Sequence, residues 1–257
     1  MSRYSTLNRL AEIAGDQWGL VTRRQAEDTG ISRATIARIS GPGGILERVA
    51  QGVYRLKAAP VPDNLTLRAA WLQLAPDVPA WRRTAAEGVV SHRSAAAAYG
   101  IGDLSADRHE FTLPERRQTR RRDVRLHTRD LTDSDWIELR GLPVTLPARI
   151  ASDLLYDSED PEAVARIIVE AIRHVYDYPG SFTDALARHA ARFGLRKSDG
   201  LALLRWFLDL ISDPETDQWM KEAQEHVARV AEDRAKGTAQ KPGMGRTMAE
   251  STELTVF

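Results

Sequence analysis

Thr22-Arg23-Arg24-Gln25-Ala26-Glu27-Asp28-Thr29-Gly30-Ile31-Ser32-Arg33-Ala34-Thr35-Ile36-Ala37-Arg38-Ile39 is the stretch on which the fold turns. Thr22 with Gln25 three residues on is a capping box: the hydroxyl accepts from the Gln25 amide, the Gln25 side chain reaches back, and Val21 and Ala26 hold the flanking staple positions. Gly30 supplies the left-handed stop. Ser32 then caps a further helix over residues 33–40, and Ile31 before that cap packs on Ile36 as a second staple. Two helices joined through Gly30-Ile31 make a helix-turn-helix. At about 100° per residue, Ile36 and Ile39 define the core side of the second of these helices and leave Arg33, Ala34, Ala37 and Arg38 outward. That outward face is small and basic.

Upstream, Leu7, Leu10, Ala11 and Ala14 recur at i, i+3, i+4 and i+7, the buried stripe of a first helix that Gly15 ends. Downstream, the breakers Gly41-Pro42-Gly43-Gly44 precede two strands, over 46–49 and 53–56, joined through Ala50-Gln51-Gly52 as a wing. Residues 1–58 therefore read as a winged helix-turn-helix, and the first 57 carry nine basic against five acidic residues. Arginine suits DNA because its planar fork grips phosphate and, in the major groove, guanine O6 and N7. The recognition helix of such a module presents its first residues to base edges. Arg33 and Arg38 are thus the readout candidates, beside Ser32 and Thr35. Ala34 and Ala37 let the backbone sit close, with Ala34 placed to touch a thymine methyl. Arg23 and Arg24, at a helix start where the dipole also attracts anions, are phosphate contacts, and Arg48 and Gln51 on the wing meet the backbone or minor groove. The competing account is a solvated basic face, or a winged helix that binds protein.

Past the Pro60-Val61-Pro62 linker the character changes. Residues 62–156 read as a small mixed α/β domain: an apolar helix over 65–74, a short Ala-rich helix after Ser91 closed by Gly100, strands over 111–113, 124–127, 136–139 and 142–145, and a helix from Pro147. Residues 157–236 are helical in pattern, opened by Asp160 as cap with Pro161 at the first position, and 237–257 lack periodicity and read as a disordered tail. The fold class is α+β. Between two of the middle strands lies a second basic patch, Arg116, Arg117, Arg120, Arg121, Arg122 and Arg125, which extends a DNA contact, meets an acidic partner, or is simply a solvated loop.

Lys plus Arg and Asp plus Glu each count 36, a formal charge of zero that argues against a uniformly DNA-coating protein. The zero hides two halves. Residues 1–150 hold 23 basic against 17 acidic residues, a balance of +6, and residues 151–257 hold 13 against 19, a balance of −6. Absence of cysteine removes disulfides, thiolate zinc sites, iron–sulfur clusters and cysteine nucleophiles. All but five basic residues are Arg, so residues 58–196 contain no lysine for a restriction-type nuclease motif, and neither glycine cluster, 41–44 or 243–245, is followed by the Lys-Ser or Lys-Thr of a phosphate-binding loop. Ser91-His92-Arg93-Ser94 invites a nucleophile reading, but neighbours at a helix start diverge, and Ser91 reads as a cap. His92, His109 and His127 lack the paired spacing of a metal site and read as surface or hydrogen-bonded residues. The expectation is a protein without catalysis, cofactor or metal. Charges at Arg3, Arg9, Glu12 and Asp16 break any secretory h-region, and no run approaches about 20 apolar residues, so the chain reads as cytoplasmic with no membrane partner.

At this point the residues resemble a known family. Gly19-Leu20-Val21-Thr22-Arg23-Arg24-Gln25-Ala26, Gly30-Ile31-Ser32-Arg33-Ala34-Thr35-Ile36, Gly44-Ile45-Leu46-Glu47-Arg48-Val49 and Gly52-Val53-Tyr54-Arg55 resemble the winged-helix start of AbiEi-family antitoxins of type IV toxin-antitoxin systems. Val90-Ser91-His92-Arg93-Ser94-Ala95-Ala96, Val124-Arg125-Leu126-His127 with Asp130-Leu131, and Gly141-Leu142-Pro143-Val144-Thr145 with Pro147-Ala148-Arg149 and Asp153-Leu154 are similar to that family's middle section. The resemblance spans about residues 5–155 and leaves the helical segment after Asp157 unmatched. It implies a non-enzymatic repressor that binds an inverted-repeat operator in double-stranded DNA and counteracts a nucleotidyltransferase-type toxin, without necessarily forming a stable complex with it. The alternatives are a stand-alone winged-helix transcription factor and, less well supported, a nuclease.

Overall fold

The computed structural model describes residues 3–239. Its amino-terminal unit runs α1 (Arg3–Gly15), β1 (Leu20–Thr22), α2 (Arg23–Asp28), α3 (Arg33–Ile39), β2 (Leu46–Ala50) and β3 (Val53–Leu56). Both helix starts form as the sequence dictates. The Gln25 amide donates to Thr22 Oγ1 at 3.1 Å and the Thr22 amide to Gln25 Oε1 at 3.0 Å, while the Thr35 amide donates to Ser32 Oγ at 3.2 Å. Gly30 takes the left-handed turn at φ +82°, a conformation that strains any side chain. Ile31 and Ile36, each 2 % exposed, join Leu10, Ala14, Val21, Ala26 and Leu46 in a small core. Ala11, expected in that core, is exposed at the edge of the α1 stripe. Strand β1 was not foreseen: three residues are too few to show alternation, and Val21 becomes a strand residue only because it lies opposite Tyr54 of β3. The sheet order is β1-β3-β2.

The middle of the chain adds α4 (Leu65–Leu72), 3-10 turns at Ala80–Arg82 and Ala85–Glu87, β4 (Val89–Val90), α5 (His92–Tyr99), β5 (His109–Leu113), β6 (Val124–Thr128), a further 3-10 turn at Asp133–Asp135, β7 (Trp136–Leu139) and β8 (Leu142–Thr145). These strands form one sheet in the order β6-β5-β4-β8-β7. β5 and β6 are parallel. A hairpin cannot join parallel strands, so the arginine-rich connection must travel back along the strand length, which carries it past the end of α4.

The carboxyl-terminal part is helical: α6 (Pro147–Tyr156), α7 (Pro161–Arg173), α8 (Pro179–Leu186) continued by a 3-10 segment Ala187–Phe193, α9 (Gly200–Leu210) and α10 (Thr216–Ala239). The Ala163 amide donates to the Asp160 carboxylate at 3.3 Å, the expected cap, and Val164, Ile167, Ile168 and Ala171 are fully buried. Of the stretch read as a tail, residues 237–239 extend α10 and 240–257 lie outside the described residues. Among the described residues no helix is long and apolar enough to cross a membrane.

One continuous core runs from Phe111 and Val144 in the sheet through Leu154, Ile168, Phe182 and Phe207 in the helices, and takes in Leu20 and Val53 of the winged helix. The seam between the winged helix and the rest is polar as well as apolar. Trp18 meets Trp71 edge-on at 5.9 Å between ring centroids and donates from Nε1 to the Arg140 carbonyl at 3.2 Å. Arg68, 2 % exposed, lies over the Trp18 ring at 4.4 Å and donates to Asp63 Oδ1 and to the same Arg140 carbonyl. Gln25 Nε2 donates to the Val78 carbonyl at 3.2 Å, and the Ala80 amide to Gln17 Oε1 at 2.9 Å. The Arg140-Gly141 turn uses positive φ at both residues, and a Cβ on Gly141 would lie 2.9 Å from Trp18 Nε1.

His189 gives this core a pH signature. Its ring is 3 % exposed and hydrogen-bonded to Ser152 Oγ at 2.9 Å; burial first, then Arg188 and Arg192, push its pKa from 6.5 down to about 4. The folded state therefore resists a proton that the unfolded chain accepts. The stabilisation is complete above the ordinary histidine range and is lost as pH falls toward the folded value. Urea midpoints should show a loss on the order of 2 kcal/mol between pH 7 and pH 4.5 from this group. His189→Gln should shrink the difference, and an unchanged pH slope in that variant would refute the assignment.

Candidate nucleic-acid interface

The side chains of α3 divide as the helical period requires. Ile36 is buried and Ile39 half-buried against the winged-helix core, while Ser32, Arg33, Ala34, Ala37 and Arg38 are exposed. Thr35 is half-buried, its hydroxyl 3.0 Å from Ser32 Oγ. Arg33 Nε donates to Glu27 Oε1 at 2.7 Å, which anchors the guanidinium toward α2. Arg23 lies 3.7 Å from the same carboxylate, and Arg24 lies 3.9 Å from Asp77. Exposed pairs of this kind are worth roughly 0–1 kcal/mol, so phosphate can replace the carboxylates at little cost. α2 has only six residues. Its dipole is correspondingly small, and the positive potential there comes from Arg23 and Arg24 themselves.

Arg48 and Gln51 are exposed on the wing. The Gln51 carbonyl accepts from Gln73 Nε2 of the residue that closes α4, at 2.7 Å, so the wing tip is fastened to the middle domain. Gln73 Oε1 in turn accepts from Arg121 Nη1. Arg23, Arg24, Gln51, Gly52, Gln73, Pro76 and Arg121 thereby line one groove of about 290 Å³. Sequence spacing had no way to join Arg121 to the wing; the parallel β5–β6 crossover does so.

The remaining arginines of the second patch are used unequally. Arg117 Nη1 donates to the Leu74 carbonyl at 2.7 Å just past the carboxyl end of α4, where unpaired carbonyls and the helix dipole favour a cation. Arg83 does likewise with the carbonyls of Trp71, Leu72 and Ala75, and burial pushes its pKa down to about 10. Arg121 also pairs with Asp123, whose carboxyl that contact holds below the usual range. Arg125 is bound to Asp157 Oδ2 at 2.8 Å. Arg116, Arg120 and Arg122 are exposed and free of carboxylate partners among the described residues. The patch is thus three restrained guanidinia along the sheet and α4, and three open ones.

One expectation about the middle of the chain needs correction. Ser91 occupies the position before α5, but its hydroxyl makes no cap bond. It accepts from Thr112 Oγ1 at 2.8 Å and lies 2.9 Å from His92 Nδ1. Neighbouring side chains at this helix start do meet, because His92 sits at φ +51° instead of a helical angle. His92 and His127 are hydrogen-bonded, as expected, and although 35 residues apart in sequence they also stack, with ring centroids 3.5 Å apart and 12° between planes. His127 Nε2 is 2.9 Å from Glu110 Oε2. Burial, then the neighbouring His127 and Arg125, Arg129 and Arg149, push the His92 pKa down to about 2, so its ring is neutral. His109 stands apart at the start of β5.

Comparison with curated proteins finds no match to this chain. Comparison with family models does: residues 8–57, from within α1 to the end of β3, match the model described as transcriptional regulator, AbiEi antitoxin, and with it the winged-helix part of the resemblance read from the sequence.

Proposed function

We propose that the chain is a DNA-binding transcriptional autorepressor and antitoxin that acts without catalysis on the operator of its own operon. The observation that carries this reading is the α3 face, where Arg33 and Arg38 flank the small residues Ala34 and Ala37 on a module matched to antitoxin regulators. The alanines admit close approach to base edges and the arginines supply bidentate donors. Arg23, Arg24 and the wing carry the phosphate contacts that set register. An inverted-repeat operator requires two copies of the module related by a twofold axis. Binding to chromosomal DNA implies a cytoplasmic protein. The partner counteracted is a nucleotidyltransferase-type toxin, and the antitoxic activity belongs to the middle and helical parts, beyond residue 57.

Two measurements test this. Fluorescence anisotropy with duplexes tiled across the upstream region should find one salt-sensitive, sequence-specific site, and a reporter under that promoter should be silenced by the intact chain. Expression beside the neighbouring toxin gene should restore growth. Binding and silencing without rescue would leave the stand-alone transcription factor as the answer, and metal-dependent cleavage of the duplex would favour a nuclease.

The arginine-rich crossover adds a quantitative expectation. If Arg116, Arg120 and Arg122 reach phosphate alongside the groove at the wing, changing all three to Ala should lower the slope of log K against log salt by roughly 3, at about 0.9 per phosphate contact. An unchanged slope would assign the patch to a protein partner instead.

A further inference from the structure

The buried cluster around His92 is built like a ligand set. His92 is 1 % exposed, His127 8 % and Glu110 6 %, and Asp157, which closes α6, is half-buried beside them. One nitrogen of each imidazole and one carboxylate oxygen of Asp157 lie within 4.8 Å of one another. These groups arrive from α5, β6 and the end of α6, so the packing of the domain, not a local motif, assembles them.

The distances sharpen the point. The Glu110 carboxylate lies 2.9 Å from His127 Nε2 and occupies that nitrogen, which leaves Nδ1 as the ring atom turned toward Asp157. That nitrogen lies 3.8 Å from Asp157 Oδ2, beyond hydrogen-bond reach. With one nitrogen of His92, these atoms form a set of three ligand atoms within 4.8 Å of one another, a gap a cation can bridge. His92 adds a second anomaly: its Nε2 is buried with no hydrogen-bond partner, a cost of roughly 1–3 kcal/mol when nothing compensates it. The Glu110–His127 pair is also the arrangement in which a carboxylate outside the coordination sphere orients a metal-bound histidine and raises its basicity.

We propose that His92, His127 and Asp157 bind a borderline first-row divalent cation, with Zn²⁺ the foremost candidate, and that Glu110 positions His127 for it. Two imidazoles and one carboxylate suit Zn²⁺, Co²⁺ or Ni²⁺ and disfavour Mg²⁺ and Ca²⁺, which prefer all-oxygen shells. A zinc site has donors at about 2.0–2.2 Å, so when the ion enters the three side chains close in and the stacked imidazole rings turn out of parallel to aim their in-plane lone pairs at it. Arg125 holds Asp157 Oδ2 at 2.8 Å and competes with the metal for that carboxylate. Arg125 is half exposed, so loading swings it outward and returns one cation to the basic patch.

The test uses the full chain, stripped with chelator and dialysed, then titrated with Zn²⁺ by calorimetry and with Co²⁺ by visible absorption. One equivalent should bind, with the d–d bands of a low-coordinate Co²⁺ site that Zn²⁺ displaces. Asp157→Asn and His127→Gln should abolish the bands, Glu110→Gln should weaken binding by roughly 10–100-fold, and Arg125→Ala should tighten it several-fold. Circular dichroism checks that each variant is folded, and the Arg125→Ala result stands even if a core variant is not. No stoichiometric binding to the intact chain overturns the proposal, as does binding that none of these four substitutions alters.

Discussion

If α3 reads the operator as proposed, Arg33→Ala combined with Arg38→Ala should lower affinity for it by between about 30-fold and 10⁴-fold, since each bidentate base contact is worth roughly 1–3 kcal/mol. Anisotropy at fixed salt measures it. The substitutions leave the fold intact, because both side chains are exposed and neither contributes to the Leu10–Ile36 core. They differ in what they do before DNA arrives. Arg33 is held by Glu27 and must exchange that carboxylate, whereas Arg38 has no ion-pair partner among the described residues. Glu27→Gln should therefore tighten binding slightly, through Arg33 and Arg23 together. Undiminished affinity in the double variant would mean that α3 is not the reading element.

The largest effect on stability is expected at Asp63. Arg68 is almost wholly buried, and its charge is neutralised by the Asp63 carboxylate at 2.8 Å; that hydrogen bond also holds the Asp63 carboxyl below its usual range. Asp63 Oδ2 binds Arg140 as well, at 2.6 Å. Asp63→Ala leaves one guanidinium buried without a counter-charge and a second one loose at the seam. Breaking a fully buried pair from one side costs about 3–5 kcal/mol; Asp63 is 42 % exposed, so water reaches the vacated position, the loss is about 1–3 kcal/mol, and Tm falls by roughly 2–12 °C. Arg68→Met, which removes the charge and keeps the volume, should cost much less. Equal losses in the two variants, by thermal denaturation, would show that packing over Trp18 and not charge sets the cost.

The sequence was most legible where structure is local. The Thr22 box, the Ser32 cap, the Gly30 stop and the period of α3 each involve residues within four positions of one another, and each formed. What escaped was non-local. β1 exists by pairing with β3, β4 is two residues between two partners, and within the stretch read as helical over 157–236 the chain tightens to a 3-10 segment after Leu186. The same divide runs through the candidate sites. The α3 face could be drawn on a helical wheel, but Arg121 reaches the wing only through a parallel crossover, and His92 meets His127 only through sheet packing. Ser91 shows how local reasoning errs: a serine before a helix is normally a cap, yet here Thr112 and His92 from the fold's interior claim its hydroxyl.

The seam at Trp18, Gln17 and Gln25 bears on how the molecule finds and holds its site. A winged helix on a loose tether searches a volume and surrenders rotational freedom when it docks. Here the winged helix is joined to the rest of the chain by a shared core and by hydrogen bonds, Gln25 of the second helix itself being bonded to the Val78 carbonyl. On the proposed function, docking α3 would fix in the same event where the arginine crossover and the acidic helices stand over the duplex. The stretch of DNA shielded from nucleases would then be set by the whole outline, not by the winged helix alone, and cutting the chain in the segment after residue 57 should both narrow that footprint and loosen its grip.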